Sequence, residues 1–167
     1  MALECYEFSL DDFESECRKQ DERNGTLCET VTRHMEQAKW TQYKFEIETC
    51  EQDRLYRDII KNRLENIHRT KLLSIAIGLN LPPDERTALL AKGGTTLSGN
   101  PTNRKYAYIL ARTDYRTLTV PKFNELAHRL GIDKNQLLGH DKEQALEIAK
   151  KDLAETKRRK PQKTRYR

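Results

Sequence analysis

The chain has 167 residues, 36% hydrophobic and 34% charged, with only seven glycines and five prolines. That length suits one ordinary domain or a small domain with an appendage, and the balance favours compact helices over a β-sandwich or a thick-sheeted enzyme. The net charge of +5 is uneven: residues 1–30 carry three basic against nine acidic side chains, residues 150–167 nine basic against two acidic.

No apolar run approaches the ~20 residues that span a bilayer. The acidic start, MALECYEFSLDDFE, lacks the basic-then-apolar order of a secretory leader. A cytoplasmic protein with no membrane partner is therefore expected. Cys5, Cys17, Cys28 and Cys50 form no C-x-x-C pair, and His34, His68, His128 and His140 do not stand at zinc-ligand spacing from them. Free thiols, no metal and no other cofactor are expected.

In chain order, an acidic arm (1–25) contains a short helix capped at Ser9 in the pattern Ser-x-x-Asp and ends at the turn signal Asn24-Gly25. A helix is predicted from about Thr26 to Lys39, with Val31, Met35 and Ala38 on one face. Thr41 can cap the next helix, with Trp40 packing inward ahead of it. Cys50, Glu51 and Gln52 separate that helix from one near Gln52 to Lys61, whose apolar side is Leu55, Tyr56, Ile59 and Ile60 and whose polar side is Asp53, Arg54, Arg57 and Lys61. Leu72, Ile75, Ala76 and Leu79 give the clearest helical stripe, which stops at NLPP. A further helix over Asp84 to Lys92 ends at Gly93-Gly94.

TTLSGNPTN reads as loop and as the best boundary. Beyond it Asn103 to Arg112 is predicted helical with Tyr106, Ile109 and Leu110 inward. Thr119 then caps a helix carrying Pro121 in its first turn, the stripe Phe123, Leu126, Ala127 and Leu130, and Gly131 past its end. Asp133 and Gln136 have capping-box spacing for a short turn ending at Gly139, and Asp141 can cap a last helix on Leu146, Ala149 and Leu153. No segment alternates with strand period. The expected fold class is all-α, divided into an acidic arm (1–25), a helical domain (26–94), a C-terminal helical extension (95–156) and a basic tail (157–167).

WTQYKFEIET, DRLYRDIIKN and HRTKLLSIAIGLNL, taken together, resemble the Xre/Cro-repressor type of helix-turn-helix domain, five helices of which the second and third read DNA. The resemblance spans Thr26 to Lys92. It departs from the family pattern at Glu46, where a small residue is usual, at Cys50, where glycine is usual, and at Glu51, where an apolar residue is usual. A loose turn, with Trp40, Tyr43 and Ile47 facing the core, is the register expected to accommodate these departures.

The resemblance implies a phage or bacterial transcription regulator, a repressor, with double-stranded DNA as partner and a homodimer formed through the C-terminal helices so that two recognition helices meet two half-sites. It assigns a DNA contact to Gln42 and base-edge positions to Gln52, Asp53, Arg54 and Arg57, residue types that suit readout of guanine and adenine. Lys61, Arg63 and Arg69 would hold phosphates. The basic tail, KRRKPQKTRYR, would add sequence-independent attraction.

Catalysis is not expected. The acidic cluster Asp11, Asp12, Glu14 and Glu16 lies on the polar arm, and no phosphate loop, nucleophile elbow or paired-metal motif is present. The alternative class is a protein-interaction or adaptor module that uses the same fold to bind a protein partner, since fold alone does not fix function.

Overall fold

The computed structural model describes residues 9–15 and 25–140. These are helical throughout, with no strand among them. After a helical turn at 10–15, where Ser9 caps with its hydroxyl accepting from the Asp12 N–H, the elements are α1 (Leu27–Gln37), α2 (Gln42–Thr49), α3 (Asp53–Ile60), α4 (Arg69–Gly78), α5 (Pro83–Lys92), α6 (Pro101–Arg112), α7 (Val120–Arg129) and a 3₁₀ turn (Lys134–Gln136). The expected helix on Asp141 lies outside the described residues.

Capping sets the helix starts. Thr26 forms a full capping box with Glu29 on α1, and Thr41, Asn100 and Thr119 accept from the third backbone N–H of α2, α6 and α7. Trp40 packs edge-on against Phe45 at 6.3 Å, stapling the entry to α2. Helix ends are set by left-handed residues. Lys39, Asn62, Asn80 and Gly94 have positive φ after α1, α3, α4 and α5. At each of these ends the following N–H reaches back to the last turn, as Arg63 N to Asp58 O at 2.9 Å and Leu81 N to Ala76 O at 3.1 Å.

One apolar cluster runs through the molecule. α1, α2, α3 and α5 contribute Val31, Met35, Phe45, Leu55, Ile59 and Leu89, and α6 and α7 contribute Tyr106, Ile109, Phe123 and Ala127. Tyr106 and Phe123 meet at a ring separation of 5.6 Å. α4 joins the two groups by packing against α2, α5 and α7, so every residue from Leu72 to Gly78 is buried. A helix that is apolar all round has to be covered on all sides, and α7 covers the side the first five helices leave open. At Gly78 the missing side chain is needed, because a Cβ there would stand 2.9 Å from the Glu48 carbonyl oxygen of α2.

Several expected orientations differ. Phe45, fully buried, is the aromatic anchor of α2, while Tyr43 and Ile47 are 74% and 51% exposed. The spacing of Phe45 and Thr49 turns the opposite side of the helix to the core. Ala38 is the exposed C-cap of α1, and Cys28 takes its place in the core. On α3, Leu55 and Ile59 are buried, Tyr56 is half-buried and Ile60 is 47% exposed. The 3₁₀ turn has no side-chain cap from Asp133, and the Gln136 side chain accepts a hydrogen bond from Arg69.

Candidate nucleic-acid interface

α2 and α3 are joined by three residues, Cys50, Glu51 and Gln52. The turn is tight rather than loose: Cys50 itself adopts the left-handed conformation at φ 55°, ψ 26°. An L side chain there costs roughly 1–2 kcal/mol that glycine would avoid. Neighbours hold the turn. Thr49 takes the Glu51 N–H on its hydroxyl at 3.2 Å, and the Cys50 carbonyl accepts the His140 N–H at 2.7 Å.

Glu51 is buried. Burial pushes its carboxyl above the ordinary carboxylate range, while Ser74, Lys71, His140 and the Gly139 N–H pull in the other direction. Burial, then the charges of Glu51 and Glu48, pushes the Cys50 thiol up to about 11, so it stays protonated and a poor nucleophile.

The segment from Leu137 to His140 lies across this turn. Asn124 of α7 grips Leu138 through both backbone groups, accepting its N–H at 2.7 Å and donating to its carbonyl at 2.8 Å. Gly139 donates to Ser74 at 3.2 Å. The His140 ring then stands with Nε2 at 2.6 Å from Nε2 of Gln52. Gln52 is the N-cap of α3 but makes no side-chain cap bond, so its amide is held by the imidazole and not by the helix. Nothing in the sequence signals this contact, because the partners are 88 residues apart.

The outer side of α3 is polar and exposed. Arg57 pairs with Asp53 at 2.8 Å and Arg54 with Asp58 at 3.9 Å, both at i, i+4 spacing, with the Arg54 side chain 84% exposed. Such exposed pairs are worth only ~0.3–0.5 kcal/mol, so either guanidinium can exchange its carboxylate for another acceptor at small cost. Lys61 and Arg63 are exposed just past the helix. Gln42 is exposed at the start of α2, where it donates to Glu46 at 3.1 Å. Asp53, Arg54, Arg57 and Lys61 therefore share one surface, with Gln52 at its N-terminal edge.

Arg69 departs from this group. It is half-buried at the start of α4, donating to Gln136 at 3.3 Å and lying 5.8 Å from the centre of the Tyr106 ring. Its guanidinium ties α4 to α6 and the 3₁₀ turn. His68, beside it, accepts the Thr70 N–H as the N-cap of α4. Among the described residues no group of three or more His, Cys, Asp or Glu could hold a metal, and no helix is long and apolar enough to cross a membrane.

Comparison of the chain with protein-family models, curated proteins and solved structures finds no match in any of the three. What is established is an all-helical protein over its described residues, with a tight-turned helix pair exposed on one face.

Proposed function

We propose that the chain is a sequence-specific DNA-binding transcriptional regulator, a repressor of the Xre/Cro helix-turn-helix type, that lays α3 in the major groove. One observation carries the reading. α2 and α3 meet through a three-residue turn with a left-handed first residue, and α3 turns Arg54 and Arg57 outward with Leu55 and Ile59 in the core. Helix pairs of that kind place the second helix in the groove while the first crosses the backbone. Gln52, Asp53, Arg54 and Arg57 would meet base edges, and Gln42, Lys61 and Arg63 phosphates. The weak, exposed pairs with Asp53 and Asp58 leave both guanidinium groups able to turn to a guanine at small cost.

Selection from random duplexes tests the proposal. One motif should be enriched, and Arg57→Ala should lose ~1–3 kcal/mol of discrimination at one base position. Its stability should change by no more than ~0.5 kcal/mol, since the substitution removes only an exposed ion pair. No enrichment, or wild-type discrimination by the variant, would remove α3 as a reader.

A second reading rests on Tyr43 and Ile47, an exposed aromatic–aliphatic pair one turn apart on the outer side of α2. It suits an adaptor that binds a protein partner through α2. Tyr43→Ser with Ile47→Ser would then abolish partner capture without affecting any duplex binding.

A further inference from the structure

Between α5 and α6, closed on one side by the loop through Thr96 and Ser98, lies a cavity of about 540 Å³. Its walls are mostly apolar, with Leu90, Leu97 and Leu110 among them, and no acidic side chain among the described residues lines it. Arg86 does line it, and this arginine is only 8% exposed. Its guanidinium has no hydrogen-bond or ion-pair partner among the described residues. The hydroxyls nearby are partly committed, Thr87 to the Pro83 carbonyl at 2.8 Å and Thr96 to Ser98 at 2.9 Å.

A buried cation without a counter-charge is costly, and burial lowers the pKa of Arg86 from its ordinary value. Guanidinium nevertheless stays protonated at neutral pH, so an anion entering the cavity would pair with it. One cation among apolar walls matches one negative charge on an apolar body. A phosphate dianion would call for a second basic group, and among the described residues Arg86 is the one basic side chain of the lining. The volume falls in the range of small-molecule sites.

We propose that this cavity binds a small organic monocarboxylate, its carboxylate paired with Arg86 in the two-pronged manner of guanidinium and its apolar body against Leu90, Leu97 and Leu110. This is a ligand-binding activity separate from the α3 surface, and it stands whether or not the chain reads DNA.

Calorimetry on the full chain with 4-phenylbutyrate, 4-phenylbutanol and inorganic phosphate tests it. The acid should bind saturably at one site, at least tenfold more tightly than the alcohol or phosphate. Arg86→Met, which keeps length and apolar volume, should lose that preference and melt no lower than wild type without ligand. Ala111→Phe, at the exposed rim of the cavity, should block binding with Arg86 in place, which keeps the test decisive if the first variant does not fold. Absent saturable binding of the acid, equal binding of acid and alcohol, phosphate binding as tightly as the acid, or undiminished binding by Ala111→Phe would each overturn the proposal.

Discussion

Glu51 shows how much one residue can carry. Its carboxyl is buried beneath the α2–α3 turn, within reach of Ser74 and the Gly139 N–H. The folded chain therefore holds the proton to higher pH than the unfolded chain, whose carboxyl titrates near 4.5. In the window from 4.5 up to the raised value the folded state binds more protons, so stability falls as pH rises, and above the window the penalty is constant. Glu51→Gln should remove that slope. In thermal melts from pH 4 to 8 the variant should gain on wild type as pH rises through this window and stay ahead at pH 7. A constant difference across the range would show that burial does not govern the group. Ser74 and the Gly139 N–H, close to the carboxyl, offset part of that burial cost.

At the scale of elements, the decisive junction is the strap from Leu137 to His140 over the α2–α3 turn. Gly139 makes it fit: its φ is +85°, and a Cβ there would stand 2.9 Å from the Cys50 Cβ and 3.1 Å from the Cys50 carbonyl oxygen. Gly139→Ala should cost about 1–3 kcal/mol, combining left-handed strain with a clash against backbone. Hydrogen exchange should quicken at His140 and Glu51, while α5 and α6 stay protected. If exchange at the turn is unchanged, the strap does not brace it. On the proposed DNA reading the strap also fixes Gln52. With its Nε2 unprotonated, His140 accepts from the amide and leaves the carbonyl oxygen free for a base, so the orientation of Gln52 is set by α7 and its strap as much as by α3.

Over the whole molecule, the charge is uneven in a way that bears on the proposed duplex binding. The arginines of α3 are offset by Asp53 and Asp58, so strong attraction to phosphate has to come from elsewhere. Residues 157–167, outside the described residues, hold seven Lys or Arg and no acid. Removing them should weaken binding to all duplexes alike and flatten its salt dependence, the slope falling by ~0.9 for each phosphate no longer neutralised, with the melting temperature unchanged. A changed sequence preference with intact non-specific affinity would make the tail a reader instead.

Local chemistry in the sequence was enough to place the helices and many of their ends. Thr26, Thr41 and Thr119 cap through hydroxyls, Gly94 and Gly131 end helices through positive φ, and the 3.6-residue stripes of Ile109 and Leu110 or Phe123 and Ala127 face inward, all from interactions within a few residues. Orientation was less legible where a helix is short or apolar on two sides. In α2, Tyr43, Phe45 and Ile47 alternate, and packing against α3 and α4, with Phe45 against Tyr56, decided that Phe45 goes in. In α4 the stripe Leu72, Ile75, Ala76 was visible, but the burial of Leu73, Ser74 and Ile77 as well came from the combined packing of α2, α5 and α7, with Gly139 against Ser74. The left-handed Cys50, the buried Glu51, the inward Arg69 and the His140–Gln52 contact are likewise products of the tertiary structure. Each exchanges a local preference for a hydrogen bond or packed surface supplied by distant chain, and no local pattern records which partner will be there.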